Sequence, residues 1–293
     1  MLRTFLAALV SLSALAWAGG GADATGSAGT RGTTPARPVI VQTGADTIAF
    51  VRPAASDTWV LSGTSLVKEI ALVNLATGRT ATTVGVDTGA RAVATSANGA
   101  LAVAGGRGTS GILDLYRTAT GRLVAEVALP GPALAVISGG RATSFWVIEQ
   151  IGGARVVANY SSTGTQLGPA VPVSRRLVDI AVFPDQSALW GLLANGTMQQ
   201  IELPSGHVTT SFGTGQAATA LALSPSGGTA YVLRSAIAAP NVAQVNLTKE
   251  ADTAAFPAPA HSFDIVVSAN GRTLYVAAST HRFGNIQAIE LRG

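Results

Sequence analysis

The chain reads Ala220-Leu221-Ala222-Leu223, then Ser224-Pro225-Ser226-Gly227-Gly228, then Thr229-Ala230-Tyr231-Val232-Leu233. Two short apolar segments flank a turn, and the second segment carries an aromatic residue. Proline suits a turn position with φ near −65°, and glycine suits a position where φ is positive. The stretch therefore predicts a β-hairpin.

This unit recurs along the chain, and the repeat predicts the fold. The residue that opens the turn returns every 41 to 45 positions, at Arg52, Ser96, Ser138, Phe183, Ser224 and Ser268. Seven residues later the chain carries Trp59, Val103, Phe145, Trp190, Tyr231 and Tyr275. Five of these six residues are aromatic, and one large ring in a repeat fits packing between neighbouring sheets, a use that we favour over a cofactor cage.

Each repeat also contains a third and a fourth strand pattern. Four antiparallel strands in a unit of this length are typical of a β-propeller blade. We predict an all-β protein with six four-stranded blades, and seven blades as the alternative. Residues 38–44 form a spare strand, which we expect to complete the last blade, close the ring and protect its open edges.

The repeat resembles the YVTN-type, or YncE-like, β-propeller family. The resemblance is carried by Ser224-Pro225-Ser226-Gly227 with Tyr231-Val232, by Ser268-Ala269-Asn270-Gly271 with Tyr275-Val276, and by residues 114–121. The full Tyr-Val-Thr-Asn motif is absent, and the family usually has seven blades. The resemblance implies an exported binding scaffold, and some relatives bind DNA. Other proteins of similar shape are lactonases or carry haem, but no functional residue is carried over.

The pattern divides the 293 residues into three parts. Residues 1–18 have a basic start, an apolar run and a small-x-small ending, which predict a signal peptide. Residues 19–37 predict a flexible linker, and residues 38–293 the propeller. The apolar run at residues 5–15 is shorter than the roughly 20 residues of a membrane span. We expect a monomer, secreted or located in the cell envelope, in the periplasm or outside the cell.

Composition excludes some classes of chemistry. The chain has no cysteine, which excludes disulfides and cysteine-based zinc sites. Apolar residues make up 47% and charged residues 12%, with a formal net charge of +4. This charge is low for a chain that binds nucleic acid along a continuous basic stripe.

The histidines offer the candidate for catalysis. His261 and His281 flank the first two strands of the last repeat, so their connections emerge on one face, with Asp264 and Arg282 nearby. An acid/base site there is conceivable. No carboxylate cluster with metal-ligand spacing accompanies the histidines, and we predict neither a metal nor a cofactor. His207 lies at an outer turn and is interpreted as solvated.

The main functional hypothesis concerns the face formed by the connections into first strands and out of second strands. We predict binding residues there at Arg91, Arg175, Arg176, Asp264 and Arg282. Other charged residues assigned to the same face are Asp46, Lys68, Glu69, Asp87, Arg107, Glu149, Asp179 and Arg234. The charges are mixed in sign, which favours a polar recognition surface over a nucleic-acid stripe.

We therefore expect a non-enzymatic binding scaffold. Its partner is an unknown protein, an envelope polymer or a small molecule. A lactonase-like or other hydrolase centred on the two histidines is the first alternative, and DNA binding is the second.

Overall fold

A computed structural model describes residues 40–43, 59–64, 69–74, 79–85, 90–96, 100–107, 110–139, 143–215, 217–235, 239–268, 270–279 and 284–291. The predicted signal peptide, the linker, Arg52, Asp46, Lys68, Asp87, His281 and Arg282 lie outside the described residues. In the described part of the chain, no helix is long and apolar enough to cross a membrane.

The described elements are β-strands joined by turns. The first eleven are β1 (Ile40–Thr43), β2 (Trp59–Thr64), β3 (Glu69–Asn74), β4 (Arg79–Gly85), β5 (Ala90–Thr95), β6 (Ala100–Arg107), β7 (Ser110–Arg117), β8 (Arg122–Leu129), β9 (Ala133–Ser138), β10 (Ser144–Ile151) and β11 (Ala154–Ser161). The others are β12 (Val171–Val173), β13 (Leu177–Val182), β14 (Ala188–Leu193), β15 (Thr197–Glu202), β16 (Val208–Gly213), β17 (Ala218–Leu223), β18 (Thr229–Arg234), β19 (Asn241–Asn246), β20 (Ala251–Pro257), β21 (Ser262–Val267), β22 (Thr273–Ser279) and β23 (Gly284–Glu290).

These strands form antiparallel sheets of the β-propeller type. Four sheets follow the chain in the orders β5-β6-β7-β8, β12-β11-β10-β9, β13-β14-β15-β16 and β17-β18-β19-β20. In the fifth four-stranded sheet, β21, β22 and β23 are joined by β1, and the remaining sheet contains β2, β3 and β4. The all-β propeller prediction is confirmed.

The predicted blade number is wrong. Only five blades have four strands, and the β2–β4 sheet has three described strands, so neither six nor seven four-stranded blades are present among the described residues. The positions that would supply the other strand of the β2–β4 sheet, around Arg52, fall outside the described residues.

Closure of the ring by the N-terminal strand is also unsupported. β1 does pair with β23, with Ile40 opposite Gln287. A closed ring additionally needs packing of the β21–β23 sheet against the β2–β4 sheet. Among the described residues, the innermost strands of neighbouring sheets pack against one another in the order β5, β9, β13, β17 and β21. No substantial packing joins β21 to β2 in this part of the chain. The pairing of β1 therefore adds a fourth strand to the β21–β23 sheet, and the described residues do not support closure of the ring by this strand.

The core lies between neighbouring sheets. The inner strands β5, β9, β13, β17 and β21 pack against one another, and their described small and branched apolar residues are buried or half-buried. Of the residues seven positions after a turn opening, Val103, Phe145, Trp190 and Tyr231 are buried and Tyr275 is half-buried, while the side chain of Trp59 is outside the described part. Trp190 also makes an edge-to-face contact with Phe212, at a centroid distance of 5.5 Å.

The turn serines have structural partners. The Ser224 hydroxyl accepts a hydrogen bond from the Thr229 amide at 3.1 Å, and the Ser268 hydroxyl accepts one from the Thr273 amide at 2.8 Å. Gly227 has a φ of 77° in the first of these turns. These residues hold hairpins in shape, which explains why they recur in the repeat.

Candidate functional site

Two carboxylates lie at matching places near the start of two inner strands. Every described inner strand has a β-bulge near its first residue, where one extra residue is inserted against the second strand. Asp179 follows the extra residue in β13, and Asp264 follows it in β21. The other three inner strands carry alanine at this place: Ala92, Ala135 and Ala220. A bulge changes the direction of a side chain, and bulges occur often beside functional sites.

Asp179 links two neighbouring blades. Its Oδ1 accepts a hydrogen bond from the Ile180 amide at 2.8 Å, within its own strand. Its Oδ2 accepts one from the Leu221 amide of β17 at 2.7 Å. Asp264 repeats the local part of this arrangement, since its Oδ1 accepts a hydrogen bond from the Ile265 amide at 2.8 Å.

The two carboxylates influence each other. Burial raises the pKa of Asp179 to about 8, and the negative charge of Asp264 contributes to this rise. The hydrogen bonds from the Leu221 and Ile180 amides act in the opposite direction. Asp179 therefore holds its proton through most of the neutral range, because burial deprives an ionised carboxylate of hydration and because a second charge close to Asp264 is unfavourable.

The predicted arginine pair lies at the same end of the molecule. Arg175 and Arg176 are exposed on the turn that leads into β13. The Arg176 carbonyl accepts a hydrogen bond from the Ala194 amide, at the end of β14, at 2.8 Å. This bond shows that the connection into a first strand and the connection out of a second strand lie side by side, as the sequence predicted.

His261 belongs to this end as well. It is exposed on the turn before β21 and has a φ of 59°. Asp264 follows it three positions later along the chain. We call the surface formed by Arg175, Arg176, Asp179, His261 and Asp264 the loop face.

The remaining predicted site residues are only partly described. Arg91 is the extra residue of the β5 bulge, and its side chain is outside the described part of the structure. His281 and Arg282 lie outside it altogether, so a paired histidine site stays a prediction.

The burial of one carboxylate and the pairing of another were not predicted from the sequence. Glu149 was assigned to the exposed surface, but it is buried within β10. Asp179 was grouped with the face without any pairing to Asp264. Asp179 lies four residues before the turn opening Phe183, and Asp264 lies four residues before Ser268. This equal spacing was the signal that could have linked the two aspartates.

The loop face can offer hydrogen bonds of both kinds. The exposed guanidinium groups donate, and the carboxyl oxygens accept or, when protonated, donate. Among the described residues, no group of three or more His, Cys, Asp or Glu side chains is placed to hold a metal ion.

Comparison with known proteins identifies the fold class. No protein-family model matches the chain, and no curated protein matches it in sequence. Solved structures do match it. A chain of Kuenenia stuttgartiensis hydrazine synthase is similar with a TM-score of 0.61 and 12% identity, over 84% of this chain and 76% of that one.

A second similar structure is a β-propeller domain by its own description. The Cps50 (Swd1) β-propeller domain of Myceliophteria thermophila aligns with a TM-score of 0.59 and 10% identity. The alignment covers 88% of this chain and 99% of that one. At these identities the likeness shows the β-propeller fold alone, and the YVTN-type resemblance stays a prediction.

Proposed function

We propose that the protein is an exported, non-enzymatic β-propeller that binds its partner through the loop face. The supporting observation is the grouping of exposed Arg175 and Arg176 with the carboxyl pair of Asp179 and Asp264 at one end of the inner strands. Strongly perturbed ionisable groups cluster at functional sites. Export is proposed from the pattern of residues 1–18, and N-terminal sequencing of the protein recovered outside the cytoplasm tests it.

The partner that suits this surface is polar. Arginine recognises carboxylates and phosphates through paired hydrogen bonds, while the carboxyl pair suits hydroxyl, amide or amine groups. A protein loop, an envelope polymer or a polar small molecule offers both kinds of group.

The test compares two double variants of equal charge change. Arg175→Ala with Arg176→Ala removes the exposed pair from the loop face. Arg117→Ala with Arg122→Ala removes two exposed arginines from the β7–β8 turn, at the opposite end of a blade. Binding is first found by screening the wild type on peptide, polysaccharide and small-molecule arrays, and affinities are then measured by calorimetry.

We expect the loop-face variant to bind at least about tenfold more weakly, which corresponds to about 1.4 kcal/mol. The control variant should bind like the wild type, and both should melt like the wild type. Equal affinities for the wild type and the loop-face variant would contradict this surface as the binding site.

A hydrolase is the second candidate, supported by one observation. The pKa of Asp179, at about 8, lies near neutrality beside a second carboxylate, which suits general acid or base catalysis. A hydrolase and lactonase screen of the wild type, Asp179→Asn, His261→Ala and His281→Ala tests it. Activity that survives in all three variants would remove the loop face as a catalytic site.

A further inference from the structure

Glu149 is a buried acid at the interface between two blades. It is 1% exposed and lies on β10, on the same face as Phe145 and Val147, which belong to the core shared by the β5–β8 and β9–β12 sheets. The Tyr160 hydroxyl donates a hydrogen bond to its Oε1 at 2.9 Å. Its other oxygen, Oε2, is buried and has no hydrogen-bond partner.

This environment opposes a negative charge. A single neutral donor does not replace the hydration that an ionised carboxylate loses on burial. Burial therefore raises the pKa of Glu149, and the hydrogen bond from Tyr160 only partly offsets this rise. Burial and the negative charge of Glu149 likewise raise the pKa of Tyr160, so the phenol stays protonated and remains the donor.

The described neighbours of Glu149 supply no counter-charge. β9 carries no titratable residue, and β11 carries Arg155, whose guanidinium donates to the Leu177 carbonyl of the next sheet. On β7, Leu115 faces the β9–β12 sheet, since it lies near Gly164, while the buried Asp114 is on the opposite face of the strand. β7 also carries the exposed Arg117. β8 brings the exposed Arg122 and Glu126, while Arg91 of β5 and Arg107 of β6 have side chains outside the described part.

We propose that Glu149 is a proton switch for the interface between the β5–β8 and β9–β12 sheets. Its carboxyl group is protonated while the two sheets are packed, and its ionisation loosens them. Glu149 pairs with Ala133, the first residue of β9, so the loosening acts at the end of the blade that carries the loop face.

The sign of the pH dependence follows from linkage. The folded protein holds the Glu149 proton to a higher pH than the unfolded chain, in which glutamate titrates near about 4.3. The stabilisation is complete below that value and is lost as pH rises through the raised folded pKa. The interface is therefore tightest in mildly acidic solution.

The first test uses Glu149→Gln, which keeps an acceptor for the Tyr160 hydroxyl and cannot ionise. Urea midpoints are measured between pH 5 and pH 8 in an Asp179→Asn background, because the raised pKa of Asp179 would otherwise add its own pH dependence. We expect the midpoint of the background protein to fall with pH relative to the Glu149→Gln protein. The slope against pH is the quantity compared, because the side-chain NH₂ group introduced by Glu149→Gln costs a constant amount at every pH, and parallel curves would overturn the proposal.

The location is tested by hydrogen exchange. At pH 8 the amides of β9 and β10 should exchange faster in the wild type than in Glu149→Gln, while those of β18 and β19 should exchange alike. Equal protection of β9 and β10 in the two proteins would overturn the role at this interface.

A milder variant covers the case in which Glu149→Gln does not fold. Tyr160→Phe removes the hydrogen bond that lowers the pKa of Glu149. The carboxyl carbon signal of Glu149 should therefore titrate at a higher pH in Tyr160→Phe than in the wild type. A wild-type titration near the ordinary value of about 4.3 would overturn the proposal.

Discussion

At the residue scale, the turns show how one backbone conformation is met by different side chains. Three residues after the turn opening, the chain has Gly227, Gly271 and Gln186, with φ values of 77°, 72° and 59°. Glycine adopts a positive φ at no steric cost, but glutamine does not. The β13–β14 turn therefore contains a strained residue where its sister turns do not.

We expect Gln186→Gly to raise the free energy of unfolding by about 0.5–1 kcal/mol, because relief of the positive φ outweighs the greater freedom of glycine in the unfolded chain. The 3.4 Å contact of Gln186 with the Ser144 hydroxyl is too long to offset this gain. Urea unfolding measures the change, and a loss of stability would contradict the strain.

Gly227→Ala should lower the free energy of unfolding by about 1–2 kcal/mol. Its new Cβ would take up a positive φ and lie 3.2 Å from the Phe183 ring. Gly228→Ala is the matched control, since φ is ordinary there and no atom lies closer than 3.9 Å. The same urea experiment should show Gly228→Ala close to the wild type; equal losses in both variants would remove the conformational explanation.

At the element scale, the inner strands share a composition rich in Ala, Val, Leu and Ile and a bulge near the first residue. The sequence predicted where these strands end, because the turn openings lie at or directly after their last residues: Ser96, Ser138, Phe183, Ser224 and Ser268. It did not predict the bulge at the start of each strand. A bulge is a property of strand pairing, and pairing is not visible in a single strand.

The bulge has a measurable consequence through Asp179. Its folded pKa of about 8 lies above the unfolded value of about 3.9, so its contribution to stability is complete at acidic pH and is lost between about pH 4 and pH 8. The side chain introduced by Asp179→Asn cannot ionise, so the urea midpoint of this variant should change less with pH over this range.

The slope is the quantity to compare, because the side-chain NH₂ group introduced by Asp179→Asn would face one of the two amide donors and cost a constant amount at every pH. Asp185→Asn serves as the control. Asp185 is exposed, and hydrogen bonds from Ser187 lower its pKa. Asp185→Asn should therefore leave the change of the urea midpoint with pH near neutrality as it is in the wild type. Identical slopes in wild type and Asp179→Asn would contradict the raised pKa.

At the scale of the whole molecule, sheets stack side by side and the core lies in the spaces between them. Four apolar clusters fill the interfaces between successive sheets from β2–β4 to β21–β23, and the first cluster spans both faces of the β5–β8 sheet. The net charge of +4 is small for a chain of 293 residues. Binding to nucleic acid is therefore not favoured by charge.

We expect any association with duplex DNA to be weak and to disappear between about 50 and 200 mM salt, because it would rest on a few phosphate contacts. Fluorescence anisotropy with a labelled duplex measures it, and the Arg117/Arg122 double variant controls for simple loss of charge. An affinity that persists at high salt and depends on Arg175 and Arg176 would point instead to a specific nucleic-acid site.

By itself, the sequence determined the all-β propeller class, the strand positions and the role of the turn residues. These depend on local patterns: the 41–45-residue spacing, the turn chemistry and the apolar runs. The tertiary structure decided the number of four-stranded blades, the link from Asp179 to Leu221, the influence of Asp264 on Asp179 and the burial of Glu149. Each of these depends on which residues distant in sequence come together, because charges and hydrogen bonds act between groups that are close in space.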